Sequence, residues 1–212
     1  MSLRVAVLVS GEGSNLQAIL DRVHGRGGVE VVAVGSNRAA ARGLERGREA
    51  GVETGVFEGS SYADRGARDD ALGDWLEQRD VQLVVLAGFM ELLGAPFIRR
   101  FSGRIINVHP SLLPAFSGVR AIEQALEYGV KQMGVTVHFV DEGVDSGAIL
   151  LQEAFALDPP YSRDIAAIED RIHEIEHRLL PRAVELFAAG AVRVDPGSPR
   201  HVIVEEAPDG DD

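Results

Sequence analysis

Val5-Ala6-Val7-Leu8-Val9-Ser10-Gly11-Glu12-Gly13-Ser14-Asn15 is the stretch whose reading decides the fold. Val5 to Val9 is a continuous apolar run, the pattern of a strand buried on both faces of a parallel sheet. Gly11 to Gly13 breaks the run. Leu16, Ile19, Leu20 and Val23 then recur at helical spacing, with Gly25 beyond their end. Outward from this strand, turn and helix the alternation continues. Val29 to Val34 reads as a second strand and Ala39 to Ala50 as a second helix closed by Gly51. Val56 and Phe57 belong to a short third strand, Trp75 and Leu76 to another helix, and Leu83 to Ala87 is the clearest strand of all. Strand and helix in turn over the first half predict a doubly wound, mostly parallel α/β sheet with a Rossmann-like N-terminal half.

The second half is less regular. Arg104 to Val108 reads as a strand leading into a loop that holds Pro110 and Pro114. Ala121 to Tyr128 is a short helix stopped by Gly129. Val135 to Val140 and Ala148 to Ala154 are further strands joined by the acidic loop Asp141 to Gly147, an antiparallel C-terminal extension of the sheet. Ile165 to Ala189 reads as a long amphipathic helix that Pro181 kinks or divides. Val192 to Val194 and His201 to Val204 suggest a terminal hairpin. The expectation is one domain over residues 1–204 and an acidic, fraying tail over 205–212.

Composition narrows the function classes. The 212 residues are 45% hydrophobic and 25% charged, the balance of a globular chain able to bury one sizeable core. With no cysteine, disulfides, thiolate catalysis and cysteine-held metals are excluded. The first apolar run is too short and too soon broken for a signal peptide or membrane span, so a cytoplasmic protein without membrane partners is expected. A formal net charge of −12, from 33 acidic and 21 basic residues, opposes nucleic-acid binding, which favours a basic face. Small anions remain compatible, since a few local donors outweigh a screened diffuse field.

Three segments carry candidate chemistry. In Ser10 to Asn15, glycines let the backbone approach a ligand and the free amides of a helix start favour an anion. A dinucleotide fingerprint would want glycine where Leu16 stands, and the Gly-Lys-Ser or Gly-Lys-Thr of a Walker loop is absent. A plain glycine turn with Ser14 capping the helix explains this loop almost as well. In Asn107-Val108-His109-Pro110-Ser111-Leu112-Leu113-Pro114, strand alternation projects Asn107 and His109 together at a strand end, where open parallel sheets place ligands. The amide suits a developing oxyanion, and the imidazole titrates near neutral pH. Asp145 lies in an acidic glycine loop that is ordinarily just solvated; folded beside His109, it would favour the imidazolium. His138 either lines the same cleft or sits in the core. His173 and His177 fall on a charged helix face without metal spacing, Arg65 and Arg68 on the solvated side of a helix start, and Trp75 in the core. No metal is expected.

Taken in order, Gly13-Ser14-Asn15-Leu16-Gln17, Ala87-Gly88-Phe89-Met90, Asn107 to Pro114, and Val144-Asp145-Ser146-Gly147 resemble the folate-dependent formyltransferases. The chain is similar over nearly its whole length to the phosphoribosylglycinamide branch of purine synthesis. That resemblance implies the formyltransferase fold and two small-molecule substrates, glycinamide ribonucleotide and the co-substrate 10-formyltetrahydrofolate. It implies Asn107, His109 and Asp145 as the catalytic trio, and Gly13, Ser14, Asn15 and Glu176 as nucleotide ligands, the last at the ribose. It further implies Arg65 at the folate glutamate tail, with Met90, Glu91, Leu92 and Leu93, Asn107, and the loop from Val140 to Asp145, Val144 included, around the pterin, largely through backbone groups. A cis peptide before Pro114 is also implied. The chain departs from the pattern at Glu91, where arginine is frequent, at Ala115-Phe116-Ser117-Gly118 instead of Lys-Tyr-Pro-Gly, and at Arg120 instead of histidine.

The expected reaction is direct formyl transfer through a tetrahedral intermediate, by a monomer or homodimer. A formyltetrahydrofolate deformylase is the alternative, though such chains usually carry a regulatory domain before the first strand. A methionyl-tRNA formyltransferase would want a basic C-terminal extension. A non-catalytic nucleotide-binding module would leave the Asn107 to Pro114 loop unexplained.

Overall fold

The computed structural model describes residues 2–157 and 164–205. Seven strands form one sheet: β1 (Leu3–Val9), β2 (Val29–Ser36), β3 (Glu53–Val56), β4 (Leu83–Leu86), β5 (Ile105–His109), β6 (Gln132–Phe139) and β7 (Ile149–Ala156). Their order is β3-β2-β1-β4-β5-β6-β7. All pairs from β3 to β5 are parallel; β6 and β7 join antiparallel, as the sequence pattern predicts. From β1 the chain winds outward to β3, then returns to place β4 on the other side of β1. The order therefore reverses between β1 and β4, the crevice where open α/β sheets bind ligands.

Helices α1 (Ser14–Arg22), α2 (Arg42–Glu49), α3 (Arg65–Glu77), α4 (Ala95–Arg100), α5 (Ala121–Tyr128) and α6 (Ile165–Ala188) cover the sheet. Strand alternation splits the core into two layers. Val5, Val7 and Val9 of β1 pack with Leu16 and Ile19 of α1 and Ile172 and Leu180 of α6; Ala6 and Leu8 pack with Leu72 and Leu76 of α3 and Phe97 of α4. Both faces of β1 are thus dry from Val5 to Val9, which is why that run is uniformly apolar.

Four local expectations need correction. Gly13, not Ser14, is the N-cap of α1; it sits at φ 71, and no side chain caps the helix. Helix α6 runs unbroken through Pro181, because Leu180, Ala183 and Val184 are fully buried around it and packing outweighs one lost backbone bond. Arg68 is 3% exposed, not solvated, since Asp69 and the β4–α4 loop neutralise it. Helix α4 was not expected, although Gly94 and Pro96 are ordinary start signals. Trp75 packs edge-on against Phe57 at 5.3 Å, in the layer expected of it. The terminal hairpin is present as β8 (Val192–Val194) and β9 (Val202–Val204), paired antiparallel. The expected fraying tail lies, after Glu205, outside the described residues. Among the described residues no helix is long and apolar enough to cross a membrane.

Candidate active site

The trio named from the sequence meets at the end of β5. Asn107 and His109 stand two apart on this strand, and β6 pairs alongside with His138 opposite Asn107. The loop after β6 returns Asp145 between the two imidazoles. Asp145 Oδ2 lies 3.4 Å from His109 Nδ1, and its Oδ1 lies 3.5 Å from His138 Nε2. Asn107 Nδ2 donates to Asp145 Oδ1 at 3.4 Å and faces His138 Nε2 at 3.3 Å. His138 therefore belongs to the cluster, although sequence reasoning left it between cleft and core; strand alternation with Thr136 was the available signal.

Hydrogen bonds orient each ring. His138 Nδ1 is 2.8 Å from the Phe139 carbonyl, and His109 Nε2 is 2.9 Å from the Phe116 carbonyl, so both nitrogens must be protonated to donate. His109 thus faces an acceptor at each nitrogen. The Gly118 amide donates to Asp145 Oδ2 at 2.8 Å, binding the loop after Pro114 to the same carboxylate. Burial of Asp145 acts to raise its pKa. The hydrogen bond to His138, the Gly118 amide and the charges of His109 and His138 overcome it, and the carboxyl ends below its ordinary range. Asp145, Phe116 and Arg120 all adopt positive φ, at 49°, 56° and 58°. Such backbone persists only where surroundings over-determine it, as the paired groups here do. The Leu113–Pro114 peptide is cis, as the resemblance implied.

Two cavities flank this cluster. One, of about 380 Å³, is lined by Ser10 to Asn15, by Gly88, Val108 and Pro110, and by His173 and Glu176 of α6. At its base Asn15 Nδ2 donates to Glu176 Oε2 at 2.8 Å, while Asn15 Oδ1 is buried with no partner. Burial raises the Glu176 carboxyl, against the lowering effects of Asn15 and His173. The first turn of α1 has no side-chain cap, so its amides face an open, polar seat. Helix α2 fixes that loop from behind: the Gly43 amide donates to the Gly11 carbonyl at 3.0 Å, and Arg46 Nε to the Glu12 carbonyl at 2.8 Å. Gly13, Ser14, Asn15 and Glu176 are thus brought together. His173, dismissed as bland from its charged surroundings, joins them through the docking of α6 on α1.

The other cavity, of about 340 Å³, has apolar walls, including Leu86, Phe89 and Ile98, and a polar floor of Asn107, His138 and Asp145. Arg65, Glu91, Leu92, Leu93, Val140 and Val144 all line it; Met90 lines the first cavity instead. Among the described residues no group of His, Asp or Glu is arranged to hold a metal ion.

Trifunctional purine biosynthetic protein adenosine-3 of Bos taurus is 45% identical over 194 residues, which are 90% of this chain and 19% of that protein. The chain thus spans about a fifth of the length of that relative. Phosphoribosylglycinamide formyltransferase of Haemophilus influenzae is 41% identical over 192 residues, covering 90% of each chain. The crystal structure of glycinamide ribonucleotide transformylase 1 from Symbiobacterium toebii superposes with a TM-score of 0.90 at 45% identity, covering 97% of this chain and 95% of that one. Residues 3–184 match the family described as formyl transferase, and the chain belongs to that family.

Proposed function

We propose that the chain transfers the formyl group of 10-formyltetrahydrofolate to the amine of glycinamide ribonucleotide, a step of purine biosynthesis in the cytoplasm. The observation that carries this reading is the meeting of Asn107, His109 and Asp145 where two cavities flank one strand end. The uncapped helix start and the unpartnered Asn15 Oδ1 fit a nucleotide phosphate and ribose. The apolar walls over a polar floor fit a flat heteroaromatic ring, with Arg65 at the rim for an anionic tail.

The folate co-substrate supplies the formyl carbon; the chain supplies position and charge. Gly13, Ser14, Asn15 and Glu176 hold the nucleotide so that its amine reaches that carbon, a large share of the acceleration. Asn107 donates to the oxygen that gains charge in the tetrahedral intermediate. His109 exchanges its bond to the Phe116 carbonyl for the same oxygen. Loss of one such donor typically costs on the order of a hundredfold or more in rate. Asp145, held ionised, stabilises positive charge on His109 and, through water, passes the amine proton towards the departing folate nitrogen.

Incubation with 10-formyltetrahydrofolate, with and without glycinamide ribonucleotide, tests the reading. It predicts formylated nucleotide and no formate when the nucleotide is left out. Formate released at the same rate without nucleotide would assign the chain to hydrolysis instead, the deformylase reaction.

A further inference from the structure

The segment Met90-Glu91-Leu92-Leu93-Gly94 follows β4 and borders both cavities, yet little apolar packing fixes it. Met90 and Leu92 are 73% and 63% exposed, and only Leu93 of the five packs against the core. Polar bonds give it its shape. Ser10 Oγ accepts from the Met90 amide at 2.7 Å and donates to Asn37 Oδ1 at 2.6 Å. Asn37 Nδ2 donates to Glu91 Oε1 at 3.2 Å, and Arg68 Nη1 to Glu91 Oε2 at 3.0 Å. Arg68 Nη2 donates to the Leu92 carbonyl at 3.0 Å. Asp69, paired with Arg68 at 2.7 Å, accepts from the Gly94 amide at 2.7 Å.

We propose that Arg68 and Glu91 are a positioning pair for the folate co-substrate, fixing residues 90–94 and tying them through Asn37 and Ser10 to the nucleotide loop. The inference rests on the formyl-transfer reading above for the identity of the ligand. Arg68 and Asp69 are 3% and 4% exposed, so their charges are held in place by protein groups and not by solvent. Glu91 joins that buried pair to the end of β2, one carboxylate oxygen towards each. A side chain here that only donates, arginine included, accepts from neither Asn37 nor Arg68 and sets a second cation against the buried one. Glu91 thus acts through the backbone that it shapes, and the other carboxylate of the network, Asp69, anchors the far end at Gly94.

The test uses the full chain with Glu91→Ala, Glu91→Gln and Glu91→Arg; Arg68→Ala would strand the buried Asp69 charge and fail to fold cleanly. Calorimetric binding of tetrahydrofolate, steady-state kinetics and amide exchange over residues 89–94 are measured together. Glu91→Ala is expected to weaken tetrahydrofolate binding about tenfold, Glu91→Arg more, and Glu91→Gln less. The folate KM rises by a similar factor and the nucleotide KM by less, and the amides of residues 90–94 exchange faster in Glu91→Ala. Unchanged binding and unchanged exchange in Glu91→Ala would overturn the proposal. So would a parallel fall in folate affinity, nucleotide affinity and thermal midpoint, the mark of a merely structural role. If wild type binds no tetrahydrofolate, it is the formyl-transfer reading that fails, and the exchange data still decide whether Glu91 fixes the segment.

Discussion

Glu176 is 6% exposed, and its one hydrogen bond from Asn15 does not offset the burial that raises its carboxyl. A raised folded-state pKa contributes stability that is complete below the ordinary value of 4.5 and lost as pH rises through the folded value. Ionising Glu176 therefore costs stability. Glu176→Gln, whose amide also offers a donor to the orphaned Asn15 Oδ1, should raise the thermal midpoint at pH 7. The gain is about 2–4 °C for each ~1 kcal/mol relieved. The same change should raise the nucleotide KM, and the stability gain should shrink below pH 4.5. Melting curves at pH 4 and pH 7 check this; a lower midpoint than wild type at pH 7 would refute it. Asp145 has the opposite sign. Its lowered pKa contributes stability present above the ordinary 3.8 and lost as pH falls through the folded value. Asp145→Asn should melt earlier than wild type at pH 7, with the gap closing below pH 3.8. Equal midpoints at pH 7 would mean that the two imidazoles and the Gly118 amide do not hold this carboxylate.

At the scale of elements, the seat proposed for the nucleotide depends on how closely α2 approaches the turn before α1. A Cβ on Gly13 would lie 2.7 Å from the Gly43 Cα, and the residue sits at φ 71. Gly13→Ala should therefore lose about 1–3 kcal/mol of stability and displace the loop, raising the nucleotide KM with less effect on folate binding. Chemical denaturation and substrate titrations measure both; unchanged values would mean that the loop has slack the structure does not display. Much of this level was legible in the sequence. Apolar runs located β1, β2, β4 and β5, and the helical spacing after Gly13 located α1, because each pattern is set by the element's own burial. Helix α4 was missed because six residues are too few for a period, and its start signal follows the irregular Met90 to Gly94 segment. Pro181 misled because its local cost is offset by distant core partners. Arg68 misled for the same reason: what buries it, Asp69 apart, is 23 and 24 residues away in the chain.

For the whole molecule, strand order does the assembling. The reversal between β1 and β4 opens the crevice beside the Ser10 to Asn15 loop, and the antiparallel return of β6 carries Asp145 back to the strand that holds Asn107 and His109. Motif order, through the family resemblance, indicated which residues serve the site. Single-chain spacing gave no distance between Asp145 and His109, left His138 between cleft and core, and gave no reason to place His173 beside the Ser10 to Asn15 loop, because those contacts depend on sheet order and helix docking. Met90, expected with the folate residues, borders the first cavity, while Glu91, Leu92 and Leu93 line the second. The most direct measurement is single-turnover formyl transfer by Asp145→Asn, with both substrates saturating and their affinities measured separately. A rate lower by about a hundredfold or more, with both affinities nearly kept, is the predicted result. Transfer at the wild-type rate would contradict the account, for the carboxylate that the fold brings back to His109 would then have no part in the chemistry.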